Sequence, residues 1–248
     1  MVKHIMTRNE RIKLARKSRG SRVLDRLSRD KDYAVRYRVT RNRNTPAETL
    51  DRLSRDKDYV VCQGVAENPN TPIDILSRLS QDRHQRVREQ VAKNPSTPLE
   101  TLDRLSRDQW GVRERVAQNP NTPPEILNLL SGDEKEWVRM HVAGNPSTPV
   151  EILTLLSRDD DNTVRRRIPL NSSTPAEILA RLSRDDDSEV RNGVAINPST
   201  SVETLDRLSR DEDNYVRRGV AKNPKWKATR DPGLPEVARS ASKWLGIL

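Results

Sequence analysis

Apolar residues in this chain come in short sets that return every 26 residues or so. In one copy Ile73, Leu76 and Leu79 fall at i, i+3 and i+6. That spacing suits a short α-helix and suits a 3₁₀ turn at least as well, because residues three apart eclipse there. Val87, Val91 and Ala92 follow at i, i+4 and i+5, the stripe of an α-helix. Thr71-Pro72-Ile73-Asp74 reads as a helix start, with the hydroxyl at the N-cap, proline first in the helix and an acid at the third position. A polar Leu-Ser-Arg-Asp loop, or a variant of it, separates the two segments. Asn94-Pro95 stops the second one, since a residue before proline avoids helical angles. No segment alternates with period two, so no strand is predicted.

The repeat is marked by Asn-Pro-x-Thr-Pro or a close variant. Its asparagines are Asn42, Asn68, Asn94, Asn119, Asn145, Asn171, Asn197 and Asn223, spaced 26, 26, 25, 26, 26, 26 and 26. A fixed period of this size is the signature of a stacked array. The predicted architecture is an all-α solenoid of about eight two-helix repeats, either α/3₁₀ or α/α. The solenoid is placed at 21–222, with full repeats starting at 42, 68, 94, 119, 145, 171 and 197. Residues 1–20 read as a basic N-terminal arm or cap, with Thr7-Arg8-Asn9-Glu10 as a capping box. Residues 223–248 read as a C-terminal capping helix. There Leu234, Val237, Ala238, Ala241, Trp244, Leu245 and Leu248 make one amphipathic stripe.

The unit Asn-Pro-x-Thr-Pro-x-Glu-x-Leu-x-x-Leu-Ser-x-Asp, followed by Val-Arg-x-x-Val-Ala, resembles the leucine-rich repeat variant family over about residues 21–224. Its second half is similar to HEAT repeats. The resemblance implies a right-handed superhelix in which α- and 3₁₀-helices alternate. Some members carry an iron–sulfur cluster on a separate cysteine-bearing module. Such a cluster needs about four thiolates, and Cys62 is the only cysteine here, so no cofactor and no metal site are expected. HEAT-like solenoids also include DNA glycosylases, which implies a remote enzymatic alternative.

Composition narrows the picture. The chain has no Phe and 3% aromatic residues, which excludes one large aromatic-rich core and favours many thin aliphatic layers. One cysteine excludes a disulfide framework. No apolar run approaches a membrane span, so a membrane partner is not expected and a cytoplasmic location is. The net charge is +10, and residues 1–41 account for it: 14 Lys/Arg against 4 acids, with 32 of each in the other 207 residues.

Three columns and the arm are the candidate sites. Arg36, Arg88, Arg113, Arg139, Arg165, Arg191 and Arg217 each follow the repeat valine, and Cys62 takes the slot once. They form either an anion ladder or a structural ladder in which each guanidinium pairs with a loop aspartate of a neighbouring repeat. The second reading is favoured because Asp and Arg recur together. The asparagine column is expected to satisfy backbone groups freed between a helix end and the next turn. Tyr33, Tyr59, Trp110, Trp137 and Tyr215 sit one or two residues before the valine. They make either an exposed recognition ridge or a half-buried helix start. Lys3, Arg8, Arg11, Lys13, Arg16, Lys17, Arg19 and Arg22 concentrate charge as a handle for polyanions, or as a solubilising terminus.

Catalytic patterns are weak. His4, His84 and His141 occupy unrelated repeat positions, and the nine glycines form no phosphate loop. The expected function is a non-enzymatic scaffold for a protein or peptide partner. A nucleic-acid-binding solenoid with a basic arm is the alternative, and no small-molecule ligand is expected.

Overall fold

A computed structural model describes residues 6–230, and the chain divides into two compact units with the boundary in sequence between Ile126 and Leu127. In the first unit the helices are α1 (Arg8–Lys17), α2 (Ser21–Leu27), α3 (Tyr33–Thr40), α4 (Ala47–Leu53), α5 (Tyr59–Glu67), α6 (Ile73–Leu79), α7 (Gln85–Lys93), α8 (Leu99–Leu105) and α9 (Trp110–Gln118). Helix α10 (Pro124–Ser131) carries the boundary. The second unit holds α11 (Glu136–Gly144), α12 (Val150–Leu156), α13 (Asn162–Arg167), α14 (Ala176–Leu182), α15 (Ser188–Ile196), α16 (Val202–Leu208), α17 (Asn214–Lys222) and α18 (Pro224–Arg230). Among the described residues there is no strand.

Each unit is an α-solenoid. The second helices of successive repeats stack side by side, α3 on α5 on α7 on α9 in one unit and α11 on α13 on α15 on α17 in the other. Their valines are buried apart from the half-buried Val60, and Leu50, Leu76 and Leu102 on the first helices are fully buried. Each such side chain contributes about 1.5–3 kcal/mol by leaving water, which is how a chain poor in aromatics still builds a core.

The short first segments are α-helices of seven or eight residues. The α/α alternative therefore holds, and 3₁₀ alternation does not. The reason lies in which residue is buried. Ile73 is 62% exposed, while Ile75, Leu76 and Leu79 are buried. The true stripe is i, i+1, i+4, which an α-helix gathers on one face. The one 3₁₀ helix among the described residues, Ile168–Leu170, follows α13 at Pro169, whose ring removes the donor an α-turn needs.

The helix starts also differ from expectation. Pro46, Pro72, Pro98, Pro149 and Pro175 hold the N-cap position, with no side-chain cap. The Thr71 hydroxyl instead donates to the Val65 carbonyl at 2.6 Å, and Thr45, Thr97, Thr122, Thr148, Thr174 and Thr200 make the equivalent bond. Threonine thus closes the end of the helix before it, a carbonyl the helix itself leaves open. Where Ser201 replaces the proline, its hydroxyl does cap, accepting from the Thr204 amide at 3.2 Å.

The array begins earlier than residue 21. Helix α1 packs on α3 with Ala15 fully buried, so residues 8–17 act as the second helix of a leading layer. At the other end α18 packs on α16 and α17, and its Trp226 is buried. The stripe predicted from Leu234 to Leu248 lies outside the described residues.

Candidate functional site

The arginine column is an inter-repeat clamp. Arg36 Nε and Nη2 donate to the two carboxylate oxygens of Asp56 at 2.6 and 2.8 Å. Its Nη1 donates to the Asp30 carbonyl at 2.9 Å, so one guanidinium joins two successive loops. Arg88 holds Asp108 in the same way, and Arg139, Arg165 and Arg191 hold Asp159, Asp185 and Asp211. The fork of the guanidinium matches the carboxylate edge, which makes the pair directional as well as strong. Burial pushes the pKa of Asp56 and Asp108 up, but the bonds from Arg36 and Arg88, the backbone N–H of Asp58 and Gln109, and the arginine charges together outweigh it and hold both below the usual carboxylate range. Arg113 donates to the Asp108 carbonyl at 2.8 Å. Arg217, in the last full repeat, donates to the Asp211 and Glu212 carbonyls.

Cys62 shows what the clamp needs. Its thiol is buried and lies 3.4 Å from the Asp56 carbonyl, where an arginine of the column would place Nη1. Burial, with Asp82 and Asp56 adding to it, pushes the thiol up to about 11, so it is not a thiolate nucleophile. Asp82 bonds to His84 Nδ1 at 2.9 Å, and the His84 ring stacks on Tyr59 with centroids 4.8 Å apart.

The asparagine column is the second clamp. Asn68 Nδ2 donates to the Thr40 carbonyl at 2.5 Å and the Asn42 carbonyl at 3.2 Å, and its Oδ1 accepts from the Asn70 amide at 2.9 Å. Asn94, Asn119, Asn171 and Asn223 repeat the pattern. Asn197 donates to the Pro169 carbonyl, so the clamp survives the 3₁₀ turn. Asn42 reaches back to Ala15, Arg16 and Ser18 of the first layer. Asn145 is buried and accepts from the Ser147 amide. These asparagines are buried in the loops, with Asn94 also at the edge of an open hollow beside Arg41, Glu67 and Lys93.

The arm is partly committed. Arg8 pairs with Asp32 at 2.5 Å, and Arg11 reaches Asp30 at 2.7 Å while donating to the Met6 carbonyl. Arg11 therefore begins the arginine column, a member the valine-based spacing missed because Glu10 stands where the valine belongs. Lys13, Arg16, Lys17, Arg19 and Arg22 are exposed, and Lys3 lies outside the described residues. The aromatic positions separate too. Tyr33, Trp110, Trp137 and Tyr215 are about half exposed, whereas Tyr59 is tucked against His84.

Among the described residues no group of His, Cys, Asp and Glu is placed to hold a metal, and no helix is long and apolar enough to cross a membrane.

Residues 86–136 match the family described as the Leucine Rich Repeat Variant domain. The chain is similar to a solved structure described as a leucine-rich repeat variant with a novel repetitive protein structural motif. Identity is 30%, coverage is 88% of this chain and 86% of that one, and the TM-score is 0.62. An engineered protein solved by crystallography is 18% identical, with 95% of this chain and 86% of that one covered and a TM-score of 0.43. A search of curated proteins gives no match.

Proposed function

The chain belongs to the leucine-rich repeat variant family, and from that premise we propose that it is a non-enzymatic scaffold that binds a protein or peptide partner through exposed solenoid surface. One observation carries this reading. The repeated polar groups that look like chemistry, the arginine and asparagine columns, are bonded across neighbouring repeats. The surface also exposes large apolar and aromatic side chains, among them Trp110, Trp137, Leu129 and Leu155, each about half exposed. Exposed apolar and aromatic side chains of this kind mark protein interaction surfaces more than active sites. A cytoplasmic location belongs to the same proposal, supported by a lone buried thiol.

The test is cross-linking mass spectrometry on the full chain isolated from its own cells, with parallel samples left untreated and nuclease-treated. The expected result is a protein cross-linked to exposed repeat residues. Recovery of nucleic acid alone, lost on deleting the cations of α1 and its flanks, overturns the scaffold reading in favour of the polyanion one.

A further inference from the structure

The first helices carry a second arginine ladder, and its members differ in what answers them. In the first unit Arg52 bonds the Asp25 carboxylate at 2.6 Å and Arg78 bonds Asp51 at 2.6 Å, each acid lying 27 residues back in the preceding repeat. Both arginines also donate to the serine that ends that repeat's first helix, Ser28 and Ser54. Arg104, the third member in this unit, has Ser77 at the position 27 residues back and bonds only the Ser77 carbonyl at 3.2 Å and the Ser80 hydroxyl. In the second unit the position 27 residues back is Thr154 for Arg181 and Ala180 for Arg207. Arg181 has only the Thr154 carbonyl at 3.3 Å and the Ser157 hydroxyl, and Arg207 has the Ala180 carbonyl at 3.2 Å. Arg181 Nε is buried without an acceptor, as is Arg52 Nε in the first unit. Burial and then Arg158 push the Arg181 pKa down, and burial and then Arg184 do the same for Arg207, with Glu203 opposing. These cations press on one another and lack a carboxylate partner.

The same register supplies the apolar element. The residues at this position in α10 and α12 are Leu129 and Leu155, exposed by 50% and 57%. Leu155 lines an open hollow of about 500 Å³ together with Ser131, the serine an arginine in its place would bond, and Gly132. Asp133, Asp159 and Asp160 also line it, against Arg139 and Arg158, so the leucine end carries no surplus positive charge. Along the second unit the register thus reads leucine, leucine, arginine, arginine, one per repeat.

We propose that this first-helix face of the second unit, Leu129, Leu155, Arg158, Arg181, Arg184 and Arg207, docks an acidic protein segment in which apolar side chains precede the acids. The proposal rests on the scaffold reading above and names the chemistry of its partner. Layers of packed helices lie about 10 Å apart, and an extended segment rises about 3.3 Å per residue. One contact residue in every three therefore matches the ladder. Two leucines seat over Leu129 and Leu155, and carboxylates meet Arg181 and Arg207. A sugar–phosphate backbone answers the arginines and leaves the leucines exposed, which is why an acidic segment fits better than a nucleic acid.

The experiment uses the full chain and fluorescence anisotropy with a labelled peptide of about twelve residues, with Leu at the first two contact positions and Glu at the next two, every third residue. Controls replace both Glu by Lys, replace both Leu by Ser, or substitute a single-stranded DNA oligonucleotide. Leu155→Arg installs the side chain that the ladder carries in α14, so the fold is expected to persist, which a thermal melt checks. The expected result is binding that falls about tenfold or more in Leu155→Arg and in Arg181→Gln/Arg207→Gln, and likewise for both peptide controls. Binding by the oligonucleotide alone, no binding of the peptide, or binding indifferent to these variants overturns the proposal. If the cellular partner cross-links to another face, this docking site fails while the scaffold reading stands. If no protein partner is recovered, the scaffold reading itself fails.

Discussion

The two units are built from one repeat and differ in what their first helices leave unpaired. In the first unit Arg52 and Arg78 are answered by Asp25 and Asp51, while Arg104 faces Ser77. In the second, Arg181 and Arg207 face Thr154 and Ala180, and the ladder is broken by Leu129 and Leu155. The valine–arginine column shows the opposite asymmetry. It runs unbroken through Arg139, Arg165 and Arg191 in the second unit and is interrupted by Cys62 in the first. A repeat protein can therefore keep its stability in what recurs and place its individuality in what departs from the recurrence.

The core should not distinguish the units at all. Leu102→Ala in the first and Leu153→Ala in the second both empty a fully buried site, and each is expected to cost about 2–5 kcal/mol in chemical denaturation. A cost below about 0.5 kcal/mol in either unit, the level of an ordinary surface change, breaks the shared-layer account.

The clamp comes next. Arg191→Ala leaves Asp211 without its two guanidinium bonds in a site where both side chains are about one-tenth exposed. The expected loss is about 1.5–3 kcal/mol. Arg217→Ala removes an exposed side chain that makes only carbonyl bonds, and a loss within about 0.5 kcal/mol is expected. Equal losses at the two positions contradict the cross-repeat role.

Acid sharpens the comparison further. Asp56 and Asp108 have folded pKa values held below the ordinary carboxylate value of about 3.9. A depressed folded value means the stabilisation is complete above the unfolded pKa and is lost as pH falls through the folded one. The melting midpoint should be flat above about pH 5 and fall below about pH 4. Asp56→Asn and Asp108→Asn should each flatten that fall, and an unchanged acid limb refutes the assignment.

The smallest effect expected is a gain. Cys62→Arg restores the missing clamp to Asp82 and should raise the stability of the first unit by about 1 kcal/mol, read as a higher denaturation midpoint. A fall in midpoint shows that the slot has repacked around sulfur.

Much of this was legible in the sequence because a column is a one-dimensional fact: identical residues 26 apart must share a place in every layer. The asparagine and arginine ladders follow from that alone. Other features needed coordinates. Ile73 and Ile75 are both apolar and two apart, and only packing tells that Ile75 is the buried one. The threonine was misread as a cap because proline beside it already supplies the helix entry, which frees the hydroxyl to close the previous helix. Arg11 escaped notice because α1 lacks the repeat valine. The contrast between Arg78–Asp51 and Arg181–Thr154 is a diagonal across two repeats, and no reading along the chain brings those residues together.

The central claim is that recurrent residues hold the fold and departures from recurrence hold the partner. The most direct test measures the melting midpoint and the affinity for the Leu- and Glu-bearing peptide side by side in Arg191→Ala and Leu155→Arg. The account predicts a lowered midpoint with affinity retained in the first, and a retained midpoint with affinity lost about tenfold in the second. Affinity lost in Arg191→Ala with its midpoint unchanged, or Leu155→Arg binding as well as the unaltered chain, would contradict it.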